Sequence, residues 1–322
     1  MLAIRAAEAG GPEVLEAVDI PTPVPGPGQI LVRHHAVGLN FIDIYQRSGL
    51  YPLTFPAVLG QEAAGVVEAV GEGVTRHCLG DRVAYAGQTG AYAMSHVVPA
   101  DRAVALPEAI SFDTAAAGLL KGLTAEFLLR RCYPLAAGET ILVQAAAGGV
   151  GMILTQWAKA LGARVIGTVG SPAKADLATA LGCDHVILYR QEDVAARVRE
   201  ITEGAGVSVA YDSVGQDTFE ATLASLARRG LFVSFGNASG PVPAFAPMRL
   251  ARAGSLYFTR PTMFDYVAST AELDASAAEL FAVIASGAVK IEIGQRFPLA
   301  ETRAAHEALA GRETTGATVL VP

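Results

Sequence analysis

Small residues crowd one stretch of the chain, Gln144-Ala-Ala-Ala-Gly-Gly-Val-Gly151, and their spacing suits the binding of a diphosphate. Gly148 and Gly151 occupy the second and third glycine positions of a G-x-G-x-x-G fingerprint, and Ala146 stands at the first. With Gly149 and Val150 completing the turn, side chains this small let backbone approach a pyrophosphate. The free N–H groups and dipole of a following helix would favour its negative charge. The alternative is a tight turn without a ligand, and the flanking pattern bears on that choice. Before the turn, Glu139-Thr-Ile-Leu-Val143 is a short apolar run introduced by Gly138, which predicts a buried strand. After it, Val150, Ile153, Leu154, Trp157, Ala158 and Leu161 recur at helical spacing, and Gly162 supplies a stop. Strand, glycine-rich turn and helix in that order form the phosphate-cradling unit of a dinucleotide fold.

An adenine dinucleotide declares its ribose preference near the end of the second strand. An acid there binds the 2′-hydroxyl of NAD, whereas basic groups accommodate the 2′-phosphate of NADP. Here the zone is Ile166-Gly-Thr-Val-Gly170-Ser171-Pro-Ala-Lys174, and the first carboxylate, Asp176, already lies inside the next helix. Ser171 can donate a hydrogen bond and Lys174 a charge, which favours NADP over NAD. The alternative for Lys174 is a solvated lysine at a helix start.

The elements that must position these residues fall into two rhythms. Residues 1 to about 110 predict short strands at Leu2–Ala6, Val14–Ile20, Gln29–Ala36, Ala63–Val70, Arg82–Ala86 and Ala91–Val98, with one short helix at Phe41–Ser48. Such close spacing suggests a compact, barrel-like domain. From about residue 112 a helix, Asp113–Arg131, leads into alternation. Strands are expected at Ile141–Val143, Arg164–Val169, His185–Leu188, Val207–Tyr211, Leu231–Phe235 and Ser255–Thr259. Helices are expected at Val150–Leu161, Ala173–Leu181, Asp193–Thr202 and Thr218–Ala227. This alternation implies a parallel sheet covered on both faces. Beyond Pro261 come a helix at Ala275–Ser286, a strand near Val289–Ile293, a helix at Leu299–Ala310 and a strand at Ala317–Val321. The simplest topology returns this tail to the first domain.

Composition sets the bounds. At 322 residues, 52% of them apolar, the chain has room for two packed domains. A net charge of −7 argues against broad electrostatic attraction to nucleic acid or anionic membrane. Cys78, Cys132 and Cys183 are scattered and odd in number, fitting neither a disulfide framework nor a metal knuckle. No run approaches the roughly 18 apolar residues of a membrane span, and Arg5 and Glu8 precede no signal-like segment. A soluble, cytoplasmic setting is the expectation.

Collinear stretches then carry a resemblance over nearly the whole chain. They are Asn40-Phe-Ile-Asp-Ile-Tyr45, Arg47-Ser-Gly-Leu-Tyr51-Pro52, Gly60-Gln-Glu-Ala-Ala-Gly65, Leu120-Lys-Gly-Leu-Thr124, the Ala146–Gly151 turn, Tyr211-Asp-Ser-Val-Gly215, Ser234-Phe-Gly-Asn237 and Ser255-Leu-Tyr-Phe-Thr-Arg-Pro261. Together they resemble the NADPH:quinone oxidoreductases, the zeta-crystallin-like, zinc-free branch of the medium-chain dehydrogenase/reductase superfamily. The resemblance implies an α/β protein: a GroES-like β-barrel catalytic domain (1–124 and 262–322) split around a Rossmann, doubly wound parallel-sheet domain (125–261). It also implies a homodimer pairing through the edge strand near Ser255–Arg260.

Zinc dehydrogenases of the same superfamily would need Cys or His where this chain has Asn40, Gln61 and Leu120, and none of the three is a good zinc ligand. His34 and His35 are adjacent on a strand and face opposite sides. The expectation is therefore no metal. Without a Lewis acid an alkoxide has nothing to stabilise it, whereas a quinone or activated alkene asks less of the protein. The resemblance places Asn40, Tyr45 and Tyr51 along the substrate slot. Asn40 would hold substrate carbonyl or cofactor, Tyr45 the nicotinamide side or the substrate, and Tyr51 would stack, orient or donate a proton. The alternative for both tyrosines is a wall, with solvent supplying the proton. Lys121 is a further donor or cofactor contact, or else a solvated lysine.

By resemblance alone, Tyr189 would pack on the adenine, Gly236 and Asn237 would approach ribose and nicotinamide, and Phe258, Arg260 and Arg312 would add to the cofactor site. The alternatives are core packing for Tyr189 and Phe258 and solvated charges for the arginines. Phe127 falls where an aromatic flanks the pocket in this family. The expected activity is NADPH-dependent reduction of a small quinone. Reduction of an enal or enone double bond, or a non-catalytic, crystallin-like role in binding nucleotide or RNA, stands beside it.

Overall fold

The computed structural model of the chain describes residues 1–311 and 313–322, so Arg312 lies outside the described residues. The chain divides into two units. The first comprises Met1–Leu123, Val267–Gly287 and Ile291–Pro322; the second comprises Thr124–Tyr266 and Ala288–Lys290.

The second unit is built on a six-stranded parallel sheet. Its spatial order is His185–Leu188, Arg164–Val169, Thr140–Val143, Val207–Asp212, Leu226–Ser234, Tyr257–Thr259. In chain order that is 3-2-1-4-5-6, the doubly wound arrangement, with its switch at Thr140–Val143. The helices Gly149–Ala160, Pro172–Ala180, Val194–Ile201 and Phe219–Ser225 alternate with the strands, as the hydrophobic periodicity predicts. Leu142, Ile166, Ile187, Val198, Val207, Phe219 and Phe232 make up the core on one face. At its switch point such a sheet leaves a crevice outside the strands' carboxyl ends.

The first unit is mainly antiparallel. Its long strand, Gln29–Leu39, pairs with Glu62–Val70, Ser95–Pro99 and Ala317–Val321. The C-terminal strand therefore does return, opposing Thr318 to Leu39. Ile30, Val32, Val37, Leu59, Val83, Tyr85, Tyr92 and Leu320 share one core.

Several boundaries differ from expectation, for identifiable reasons. The strand expected at Ala91–Val98 begins only at Ser95, because Tyr92 O accepts from Ile4 N–H and Met94 N–H donates to Leu2 O, tying that segment to the first strand. The strand expected at Val289–Ile293 forms instead at Ile293–Pro298. The Gln156 side-chain amide takes both the N–H and the C=O of Lys290, leaving that backbone no ladder to join. The tail helix starts at Thr270 rather than Ala275, since Ser269 and Glu272 form a capping box. Residues after Ser225 turn directly into the strand Leu226–Ser234, which carries a bulge with Arg229 at φ +62°.

A buried relay ties the helix Phe41–Arg47 to the tail helix Thr302–Ala310. Arg47 donates to His306 Nδ1 (3.0 Å), which leaves Nε2–H to donate to Tyr92 Oη (2.9 Å), whose proton goes to Asp43 Oδ2 (2.9 Å). Elsewhere in the unit His34 gives its Nδ1–H to Ala93 O and accepts from Tyr85, which also contacts His96. Burial lowers the pKa of His34 and His306 from 6.5 to about 3 and that of His96 to about 4, so all three are neutral. Burial pushes Asp43 the other way, up to about 7.

The signs oppose. Below pH 6.5 the unfolded histidines take up protons that the folded ones refuse, so their contribution is lost as pH falls toward the folded values. Asp43 is raised, so its contribution is regained as pH falls through about 7. Between pH 7 and 6 the three histidines together cost about 2 kcal/mol and Asp43 returns about 1 kcal/mol. Asp43→Asn should thus lose about 1 kcal/mol more than the parent protein over that interval. Urea unfolding of both proteins at the two pH values measures the difference.

Candidate active site

On the second unit, the expected cofactor residues gather where the strands end. Gly148 is the N-cap of the helix Gly149–Ala160, and the first intrahelical bond after the cap is Met152 N–H to Gly148 O at 2.9 Å. The N–H groups of Gly149, Val150 and Gly151 therefore precede the helical ladder, in a first turn without an acid. Gly151 allows the turn to close: a Cβ there would lie 2.3 Å from Ala145 O. Ala145 itself holds φ +55°, pinned because Ala146 N–H donates to Thr168 O at 3.0 Å. Ala146 takes the place of the fingerprint's first glycine because Gly167 faces it; a Cβ on Gly167 would lie 2.7 Å from Ala146 Cβ. An open, uncapped helix start of this kind fits a pyrophosphate.

The second strand delivers Gly170, Ser171 and Lys174 next to one another. Ser171 is the N-cap of Pro172–Ala180, capping through backbone rather than side chain, and no acid follows in the first turn. Lys174 is half-buried at the third helical position. A lysine there opposes the helix dipole, and a bound dianion would reverse the sign of that interaction. The Tyr189 ring overlies the same corner: a Cβ on Gly170 would fall 2.6 Å from its hydroxyl, and the residue is 39% exposed.

Gly236 packs so closely that a Cβ would lie 2.4 Å from Ser213 O, and Ala238 N–H and Ser239 N–H bond to Ser213 O and Val214 O. Asn237 thus sits on a loop zipped to the end of the neighbouring strand. Phe258 packs among aromatic rings. Its ring lies 5.0 Å from Phe232 and 5.2 Å from Phe245, within an aromatic cluster that includes Phe219, which is the packing alternative. Arg260 is exposed and donates to Pro261 O. Phe127 is buried and stacks on Tyr266 at 4.4 Å.

On the first unit, Asn40 caps Phe41–Arg47, the helix that carries Tyr45, and its backbone N–H donates to Asp43 Oδ2 at 2.8 Å. Tyr51 N–H returns to Tyr45 O, and the two rings stand 5.2 Å apart at 58°. Asn40 Nδ2 donates to Glu62 Oε2 at 2.9 Å, and Lys121 Nζ lies 3.6 Å from the same oxygen. Lys121 is only 6% exposed, which removes the solvated alternative. Glu62, fully buried, also accepts the Leu120 N–H at 2.5 Å. Burial raises its pKa, opposed first by Lys121 and then by Asn40. The sequence singled out neither Glu62 nor this cluster; the signal was a carboxylate in an otherwise small, apolar strand, which has to find partners.

Gln61 donates to Gln46 and Thr89, and among the described residues no group of three His, Cys, Asp or Glu side chains is placed to hold a metal. A groove of about 570 Å³ elsewhere on this unit, lined by Val104, Ile110, Phe281 and the Arg76–Asp274 pair, contains none of the expected residues.

Comparison with known proteins shows the family. Residues 26–108 match the alcohol dehydrogenase GroES-like domain, and residues 149–282 match the zinc-binding dehydrogenase family. The chain is 55% identical to a quinone oxidoreductase of Pseudomonas aeruginosa over 99% of both chains. It is 42% identical to a 2-haloacrylate reductase of a Burkholderia species, over 97% of this chain and 96% of that one. The crystal structure of Escherichia coli quinone oxidoreductase complexed with NADPH superposes with a TM-score of 0.98 at 49% identity, covering 100% of each chain.

Proposed function

The chain belongs to the quinone oxidoreductases of the medium-chain dehydrogenase/reductase superfamily, and on that premise we propose that it reduces small quinones with a hydride from NADPH, without zinc. The observation that carries this reading is the pair of open helix starts at Gly149 and Pro172, with Lys174 and Ser171 at the second and no acid in either first turn.

The chemistry the nucleotide supplies when bound is a hydride from its reduced ring, which with one proton converts a quinone to a hydroquinone. The N–H groups at Gly149, Val150 and Gly151 would hold the pyrophosphate, while Ser171 and Lys174 would hold the 2′-phosphate. Tyr189 offers its exposed ring to the adenine. Gly236 and Asn237, just after the strand Leu226–Ser234, would meet ribose and nicotinamide. From the first unit, Asn40, held by Glu62 and beside Lys121, orients polar groups of cofactor or substrate. Tyr45 and Tyr51 form an apolar wall with two hydroxyls that orient the acceptor and stabilise its developing oxyanion. A quinone is electrophilic before it binds, so the step needs no Lewis acid.

The likeness to a 2-haloacrylate reductase favours one second reading. An activated alkene also takes hydride at carbon, conjugated to a carbonyl that receives negative charge, and the same wall would serve. Side-by-side NADPH oxidation with 1,4-benzoquinones and 2-alkenals separates the two. The expected result is a quinone kcat/KM at least about tenfold the larger; the reverse order would transfer the assignment to double-bond reduction.

Two further features belong to this reading. The outer edge of Tyr257–Thr259, with Tyr257 62% exposed, suits pairing with a second copy, which sedimentation equilibrium would register as twice the chain mass. The cytoplasm is the compartment assigned, in keeping with three free cysteines, and cell fractionation would place it. Among the described residues no helix is long and apolar enough to cross a membrane.

A further inference from the structure

Beneath the glycine-rich turn, four buried side chains form a line of hydrogen bonds that all point one way. Ala145 N–H donates to Thr168 Oγ1 (3.3 Å), and the Thr168 hydroxyl donates to Gln144 Oε1 (2.5 Å). Gln144 Nε2 donates to Thr222 Oγ1 (2.9 Å), and Thr222 donates to Asp212 Oδ2 (2.8 Å). Gln144, Thr168, Thr222 and Asp212 are each at most 1% exposed. The direction is forced. A carboxylate only accepts, so the single Thr222 proton goes to Asp212, and Thr222 must take its second bond from the NH₂ end of Gln144. That leaves the Gln144 carbonyl for Thr168, whose oxygen is then an acceptor for Ala145.

Asp212 also collects Thr218 Oγ1 (2.7 Å), Val214 N–H (2.8 Å) and Gly215 N–H (3.0 Å). Residues 213 and 214 in turn hold the backbone of the loop that follows Gly236. Among the described residues Asp212 has no ion-pair partner, so donors alone compensate this buried acid. One carboxylate thereby fixes two backbone segments at the ends of adjacent strands: the turn at Ala145, held at φ +55°, and the 213–215 loop.

We propose that Asp212 is a positioning residue for the dinucleotide: through Thr222, Gln144 and Thr168 it sets the conformation of the pyrophosphate-binding turn, and through Val214 and Gly215 that of the loop beside Gly236 and Asn237. The proposal rests on the nucleotide reading above and adds its internal control. Asp212→Asn replaces one accepting oxygen with a donor. Thr222 must then accept from the introduced amide and turn its proton toward Gln144, whose own amide flips to receive it. Thr168 now receives an N–H from Gln144 as well as from Ala145, and its own proton loses its acceptor. The disturbance travels along the line to the turn.

The test is NADPH affinity by dihydronicotinamide fluorescence on the whole protein, with kcat at saturating NADPH and thermal midpoint recorded in parallel. Thr168→Val, nearly isosteric, and Asp212→Asn should each weaken NADPH about tenfold, and in Thr168→Val kcat at saturation should stay within about twofold. Thr168→Ser should restore affinity. Because both changes break one line, the double variant should weaken binding no more than the worse single variant. Multiplicative losses in the double variant would overturn the proposal, as would a folded Asp212→Asn with parental affinity or a Thr168→Ser as weak as Thr168→Val. If the parent itself shows no NADPH fluorescence change, the nucleotide reading fails and this proposal falls with it.

Discussion

Gly151→Ala is expected to reduce NADPH affinity about a hundredfold or more and to lower stability by about 1–3 kcal/mol. The reason is local. The added Cβ would stand 2.3 Å from Ala145 O and 3.0 Å from Ala146 Cα, and neither is the movable end of a side chain. Either the helix Gly149–Ala160 retreats from the sheet or the turn opens, and both displace the N–H groups meant for the pyrophosphate. A shift near 1 Å suffices for a hundredfold loss in a site that works by position. Fluorescence titration and urea unfolding of the same sample separate the two effects. A stable Gly151→Ala with parental affinity would remove the turn from the binding site.

The second large effect is one of specificity. Lys174→Ala should raise the KM for NADPH by about 10- to 100-fold, the range for a hydrogen bond to a charged group, and change the KM for NADH by less than about twofold. Lys174 lies in the first turn of Pro172–Ala180, where a cation opposes the dipole unless an anion joins it. Ser171 contributes a hydroxyl at the same point but no charge, so the lysine should carry most of the discrimination. Steady-state kinetics with both nucleotides checks it, and equal effects on the two would remove the 2′-phosphate assignment.

What the sequence disclosed about this molecule follows from how local each signal is. The strand before Gly148 and the helix after it are each set by residues within a single element, so pattern and geometry agree. The same holds for Arg164–Val169, whose apolar run is buried on a covered parallel sheet, while His185–Leu188 at the sheet edge buries Ile187. Signals failed where a distant group intervened. Alternation around Val289 predicts a strand, but Gln156 captures the Lys290 backbone.

Site residues divide along the same line. The acid-free helix start at Ser171 and Lys174 is legible because it is a feature of sequence. The packing of Phe258 is not, since whether a phenylalanine meets Phe219, Phe232 and Phe245 depends on three other elements. Lys121 passes for a surface lysine until its ammonium is seen 3.6 Å from a buried Glu62. Asp212 lies within a recognisable motif, yet it acts through Thr168, Gln144 and Thr222, which three other segments of the chain supply.

The central claim is that this fold moves hydride from a phosphorylated nicotinamide nucleotide to a quinone with protein groups alone. The most direct measurement is the rate of NADPH oxidation by chelator-treated protein of verified metal content, with 1,4-benzoquinone as acceptor. The account predicts full turnover without stoichiometric zinc and unchanged turnover when zinc is added back. Activity that vanished with the metal and returned with it would contradict the account.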